Sequence, residues 1–172
     1  APFDSLNLSG KEADAPENTA ANRALAAAAL GLSRPIFFAS QVHGSTVVSL
    51  KNDETGPEAL KTASITGDGL LTDIPGLPIA IQLADCQAIL LYDPVRRVVG
   101  SIHAGWRGSV ENIAAAAIRR MEKDFGSAPA DIRAAVSPSL GPCCGEFKNY
   151  RKELPQAFWS YRDSRDCFDF WA

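Results

Sequence analysis

Two histidines and one cysteine are the residues of this chain best suited to chemistry. His43 and His103 are its only histidines. Each closes a β-like run ahead of a glycine-containing turn, in Gln41-Val42-His43-Gly44 and in Ile102-His103-Ala104-Gly105-Trp106-Arg107-Gly108. Cys86 lies between them in sequence, within Leu83-Ala84-Asp85-Cys86-Gln87, at the edge of an apolar run. Two imidazoles and a thiolate are a ligand set that zinc takes in catalytic sites, with a fourth position left for water. Two of the three also have a plainer reading, His103 as a satisfied core imidazole and Cys86 as an inert buried thiol.

Around this trio stand further candidates. Glycines at positions 105 and 108 let the backbone turn tightly after His103, and a helix starts close to Arg107. Free N–H groups and the positive helix end would then suit an anion, with the Arg107 guanidinium adding a planar donor fork for phosphate or carboxylate; the alternative is a surface salt-bridge partner. Asp68, in Thr66-Gly67-Asp68-Gly69, is either a turn former or a carboxylate at the site edge. Asp85 points away from Cys86 if both lie on a strand, so it is expected to anchor the loop. Cys143 and Cys144 follow Gly141-Pro142 in a rigid turn able to approach the same cleft, whereas Cys167 reads as core. Most of the three Trp and eight Phe residues read as core too, Trp106 being the exception to watch.

The elements that must position these residues follow from local pattern. Asp14-Ala15-Pro16-Glu17 predicts a helix start with an acidic cap and Pro in the first turn; the Ala-rich stretch to Leu30 continues it and Gly31 ends it. Pro35 to Ser40 and Ser45 to Leu50 read as strands flanking His43, and the polar segment Lys51 to Thr66 as an exposed connection. Gly69 to Thr72, Ile79 to Leu83, Ala88 to Tyr92 and Val98 to Ile102 read as central strands. The short turns Pro75-Gly76 and Asp93-Pro94 predict antiparallel neighbours. Val110, Ile113, Ala114, Ala117, Ile118 and Met121 recur at helical spacing, closed by Gly126. Ile132 to Val136 and Cys167 to Trp171 complete the strand-like runs.

Composition bounds the class. The 172 residues suit one domain with a real core, with no repeat and no long linker. Seventeen basic and 20 acidic residues give a net charge of −3, with no basic patch to mark a nucleic-acid partner. Apolar runs are of strand length and the first residues lack a signal pattern, so neither a membrane span nor secretion is expected. Four cysteines, two of them adjacent, are too few for a disulfide scaffold and read as reduced thiols of a cytoplasmic protein. The chain opens on Ala1 and stops after a strand-like run, which reads as a fragment at both ends.

The blocks Gln41-Val42-His43-Gly44, Asp68-Gly69-Leu70-Leu71-Thr72, Ala84-Asp85-Cys86, His103-Ala104-Gly105-Trp106-Arg107-Gly108 and Gly141-Pro142-Cys143-Cys144, in this order, resemble a bacterial family. It was once called polyphenol oxidase or multicopper laccase-domain proteins. The family is now described as purine nucleoside phosphorylases with adenosine deaminase activity, and it includes a peptidoglycan editing factor. The resemblance runs from Asn7-Leu8 to Phe168-Asp169-Phe170-Trp171 and departs at Leu83, Gln87-Ala88 and Gly145. It implies an α+β fold of four layers, α/β/β/α, with mixed sheets, similar to Cys-His deamidase toxins. It also implies His43, Cys86 and His103 as zinc ligands and catalytic residues, with Gln41, Asp68, Arg107, Cys143 and Cys144 as substrate contacts.

The resemblance puts first a zinc enzyme of purine nucleosides (adenosine, inosine, S-methyl-5′-thioadenosine), with phosphate as co-substrate and deamination of adenosine as a second reaction. A Cys-His amidase acting on muropeptides is the alternative, with Cys86 as nucleophile. Copper oxidation of phenols is the third reading; His₂Cys suits one blue-copper centre, but two histidines cannot furnish a further histidine-rich cluster. A zinc-stabilised binding protein is the fourth. Small-molecule substrates are expected, with neither nucleic acid nor membrane as partner.

Overall fold

The computed structural model describes residues 6–10, 14–51 and 65–170, so the expected connection over 52–64 and the last residue of the Cys167 to Trp171 run lie outside the described residues. Within them the chain is a mixed α+β fold organised on a five-stranded sheet. Strands β2 (Val47–Leu50), β3 (Gly69–Thr72), β5 (Gln87–Asp93), β6 (Val98–Ala104) and β7 (Arg133–Val136) lie in the order β2-β3-β6-β5-β7. β2 and β3 are parallel, while β3/β6, β5/β6 and β5/β7 are antiparallel. The Asp93-Pro94 turn thus joins two antiparallel neighbours, and the buried Asp93 carboxylate closes it by accepting from the N–H groups of Val95 (2.8 Å) and Arg96 (3.0 Å).

Alternation along the strands divides the core between two faces. Leu71, Leu91, Val98, Ile102 and Ala104 pack against Ile113, Ala117 and Met121 of a helix, the i, i+4 stripe that an amphipathic helix buries. On the opposite face Leu70 and Leu50 meet Ala39, Ile74 and Ile79, which belong to or adjoin a second sheet of β1 (Phe37–Phe38) and β4 (Ile79–Ala80). Beyond that pair stands α1 (Pro16–Ala29), whose Arg23 guanidinium lies 4.4 Å over the Phe38 ring. Helix, five-stranded sheet, two-stranded sheet and helix are the four layers.

Local expectations are corrected in four places. The Pro75-Gly76 turn does not make a hairpin: β4 runs parallel to β1, with Phe37 opposite Ile79, because Ile74, Leu77 and Ile79 sink into the core between the sheets and carry the chain off β3. Asp14 is not the helix cap. Ala15 occupies that position, and the Asp14 carboxylate accepts from the Ala15 N–H and from Asn18 Nδ2. The segment from Trp106 to Gly126 is two helices, α2 (Trp106–Val110) and α3 (Ile113–Phe125), broken at Asn112. Asn112 takes φ 55° and caps α3 through its side chain, a left-handed conformation to which Asn is better suited than most residues. Finally, Cys167 and Phe168 form single bridges to Glu146 and Arg162 instead of a strand. Phe168, with no exposure, anchors a third cluster with Tyr150 and Leu154, packed on by Trp106, Phe147 and Phe170. Tyr150 starts the short α4 (Tyr150–Glu153). Among the described residues no helix is long and apolar enough to cross a membrane.

Candidate metal centre

His103 is the penultimate residue of β6 and leaves the sheet on the face opposite α3. It is 2% exposed, so its polar ring atoms need partners. Asp68, immediately before β3 and with no exposure, supplies one: its Oδ1 lies 2.8 Å from His103 Nδ1, and its carbonyl accepts from the His103 N–H at 2.7 Å. A carboxylate only accepts, so Nδ1 carries the proton and Nε2 presents a lone pair. Such a carboxylate–imidazole pair orients a metal ligand and raises its basicity.

The same carboxylate shapes the turn that bears His43. The N–H groups of Val42 (3.2 Å), His43 (2.9 Å) and Gly44 (2.8 Å) all donate to it. Wrapping three consecutive N–H groups around one anion puts His43 at φ 59°, a strained conformation held by its surroundings. Burial pushes the Asp68 carboxyl up, but the His103 and backbone donors outweigh it and hold the group below the usual carboxylate range.

Cys86 enters from the loop ahead of β5 and completes the trio. One ligand atom from each of His43, Cys86 and His103 lies within 4.8 Å of the others, and the two imidazoles meet edge to face with centroids 4.8 Å apart. Gly105 leaves the space between them clear: an added Cβ would stand 3.2 Å from His43 Cδ2, 3.3 Å from Cys86 Sγ and 3.6 Å from His103 Cε1. Burial, then the negative Asp85 and Asp68, push the Cys86 thiol up. A bound cation reverses that balance and favours the thiolate. Two imidazoles and one thiol around a space kept open by glycine fit a metal ion with an open position.

Beside the trio is a cavity of about 170 Å³ lined by Cys86, Trp106, Phe147 and Phe170, with Ser109, Ser139 and Gln87 among its polar atoms. Trp106 was legible as unusual; Phe147, Phe170 and Ser139 were not, since aromatic and hydroxyl residues scattered in sequence give no local signal.

The other sequence candidates stand elsewhere. Asp68 is fully buried behind the two histidines, its oxygens occupied by four polar partners. Gln41, 8% exposed, exchanges two hydrogen bonds with the backbone of Gln82, its Nε2 donating at 2.9 Å and its Oε1 accepting at 2.6 Å. The Arg107 guanidinium lies 4.3 Å over the Trp106 ring and lines a separate depression with Glu111 and Lys152. α2, which starts the segment where the anion clamp was expected, is only five residues long. Cys143 and Cys144 are exposed on their turn and do not line the aromatic cavity.

Fold and site together define an α+β protein with a two-histidine, one-cysteine metal-type centre. The chain belongs to the family described as multi-copper polyphenol oxidoreductase laccase, which matches residues 1–170. It is 40% identical over 146 residues to a protein of Deinococcus radiodurans named purine nucleoside phosphorylase, covering 84% of this chain and 52% of that one. A Bacillus subtilis protein named purine nucleoside phosphorylase YlmD is 32% identical, with 83% and 52% covered. Among solved structures, Bacillus licheniformis YfiH superposes with a TM-score of 0.78 at 34% identity, over 93% of this chain and 63% of that one. Geobacillus stearothermophilus YlmD gives 0.75 at 32%, over 91% and 61%. The chain spans about half the length of the curated relatives it matches.

Proposed function

We propose that this chain carries the metal-dependent site of a purine nucleoside phosphorylase, with zinc held by His43, Cys86 and His103 and deamination of adenosine as a second reaction. One observation carries the reading. Cys86 belongs both to the ligand trio and to the wall of an aromatic-lined cavity, so a flat ring system lying between Trp106, Phe147 and Phe170 would meet the metal side of the site. The relatives' names supply the substrate class.

The residues have distinct roles in this reading. Trp106, Phe147 and Phe170 offer ring faces for the base, and the Ser109 and Ser139 hydroxyls and Gln87 amide offer polar edges. Asp68 keeps the proton on His103 Nδ1 so that Nε2 stays a ligand. When bound, zinc supplies Lewis-acid activation of water or of a substrate oxygen. In phosphorolysis a phosphate oxygen bonds to the sugar C1′ as the C1′–N9 bond breaks, and the base leaves with a proton. In deamination water adds at C6 of adenine and ammonia leaves. Four free thiols suit the reducing cytoplasm, where we place the protein.

Inosine and adenosine assays on one preparation test this. Hypoxanthine should appear from inosine only with phosphate, ammonia should be released from adenosine without it, and chelation or Cys86→Ala should abolish both. Phosphate-independent base release, or turnover unchanged by chelator and by Cys86→Ala, would overturn the reading.

A further inference from the structure

Outside the metal centre, two sulfur atoms face solvent side by side. Cys143 and Cys144 are both exposed, and their Sγ atoms are 3.3 Å apart, with the Cys144 thiol donating to Cys143. Their turn is pinned: the N–H groups of Cys144 and Gly145 both donate to the Gly141 carbonyl (3.1 and 2.9 Å), and the Glu146 N–H donates to the Cys144 carbonyl (2.9 Å). Arg165 Nη2 ties the turn to the C-terminal lobe through the Pro142 carbonyl at 3.2 Å. Gly145 lies against the Phe168 carbonyl, where an added Cβ would come to 3.1 Å.

This geometry is wrong for a disulfide and right for a shared ion. A disulfide has sulfurs about 2.05 Å apart and Cα atoms usually about 4.4–6.8 Å apart, whereas adjacent residues joined by a trans peptide have Cα atoms about 3.8 Å apart, so a bond within this pair would be strained. The structure holds the thiols 3.3 Å apart. With sulfur–ion bonds of about 2.3 Å, that separation subtends about 92° at the bridged atom, while the tetrahedral angle of zinc would open the sulfurs to about 3.8 Å. An angle near 90° is what the lone pair leaves at pyramidal trivalent arsenic. We propose that Cys143 and Cys144 form a preorganised two-sulfur site for a soft, pyramidal trivalent ion of the arsenical class, separate from the His43/Cys86/His103 centre. The reaction is redox-neutral: with phenylarsine oxide two As–S bonds form, the arsenic–oxygen bond breaks, and the oxygen leaves as water with the two thiol protons. In sequence the turn lies between two residues that line the aromatic cavity, Leu140 and Phe147.

Titration of the full chain with phenylarsine oxide, followed by intact mass and by peptide mapping after maleimide labelling, tests the proposal. One adduct should form at stoichiometric reagent, protecting Cys143 and Cys144 together and leaving Cys86 available; a dithiol such as 2,3-dimercaptopropanol should release it and a monothiol at equal concentration should not. Cys143→Ser and Cys144→Ser should each lower affinity by at least about 100-fold. Capture mapped to Cys86, or retained in either variant, would overturn the assignment. Circular dichroism of both variants checks that they fold; should either fail, the mapping on the unaltered chain decides alone.

Discussion

The two histidines of the candidate metal centre are the same side chain on unlike supports. His103 sits near the end of the central strand of the five-stranded sheet, buried, with both its backbone N–H and its ring tied to Asp68. His43 is exposed on a turn with φ 59° and is tied through its N–H to the same carboxylate. One anion therefore organises both halves, from inside the sheet on one side and through a loop on the other. Equal roles in holding a metal should come with unequal roles in holding the fold.

The largest expected effect separates them. His103→Ala and His43→Ala should each lower zinc affinity by at least about 100-fold, since each removes one of three ligands. His103→Ala should also destabilise the metal-free chain by about 2–3 kcal/mol, because it leaves a buried carboxylate short of a donor. His43→Ala should stay within about 1 kcal/mol of the parent. Chemical denaturation of the metal-free proteins measures this, and equal losses would erase the contrast. Next in size is Asp68→Asn, which removes the charge that orients His103 and gathers the His43 turn. A 10- to 100-fold loss of zinc affinity is expected by chelator competition, as for other outer partners of metal ligands. Gly105→Ala is a finer test: φ −71° suits alanine, yet its methyl would crowd His43 and Cys86. Zinc affinity should fall about tenfold, or ~1.4 kcal/mol, with the fold intact. The smallest effect is expected at Arg107, which lies over the Trp106 ring. Arg107→Lys should change phosphorolysis and deamination alike, by less than about twofold in kcat/KM, whereas a phosphate clamp would show as a raised phosphate KM alone.

What was legible in the sequence follows the same division between sheet and loops. β3, β5, β6 and α3 are long enough for their periods to show, and the Asp93-Pro94 turn is a local signal. β1 and β4 are two residues each and carry no period, so their parallel pairing is set by core contacts far apart in the chain. The break at Asn112 interrupts an apolar stripe that continues in register on both sides and hides it. Within the site, His43 and His103 stood out because histidine is scarce here, and Cys86 because it lies between them in sequence. Asp68 did not reveal its role, since Gly-Asp-Gly reads as a turn and its ring partner is 35 residues away. For Arg107 the local motif suggested an anion site, and its placement over the Trp106 ring depends on a side-chain contact that the motif does not show.

The claim at the centre is that His43, Cys86 and His103 hold one ion together. Cobalt(II) titration followed by absorption tests it most directly, because sulfur ligation gives a charge-transfer band and tetrahedral geometry gives intense visible bands. One equivalent should bind with both signatures, Cys86→Ala should lose the charge-transfer band, and His43→Ala and His103→Ala should bind only weakly. No stoichiometric binding, or a charge-transfer band that survives Cys86→Ala, would contradict it.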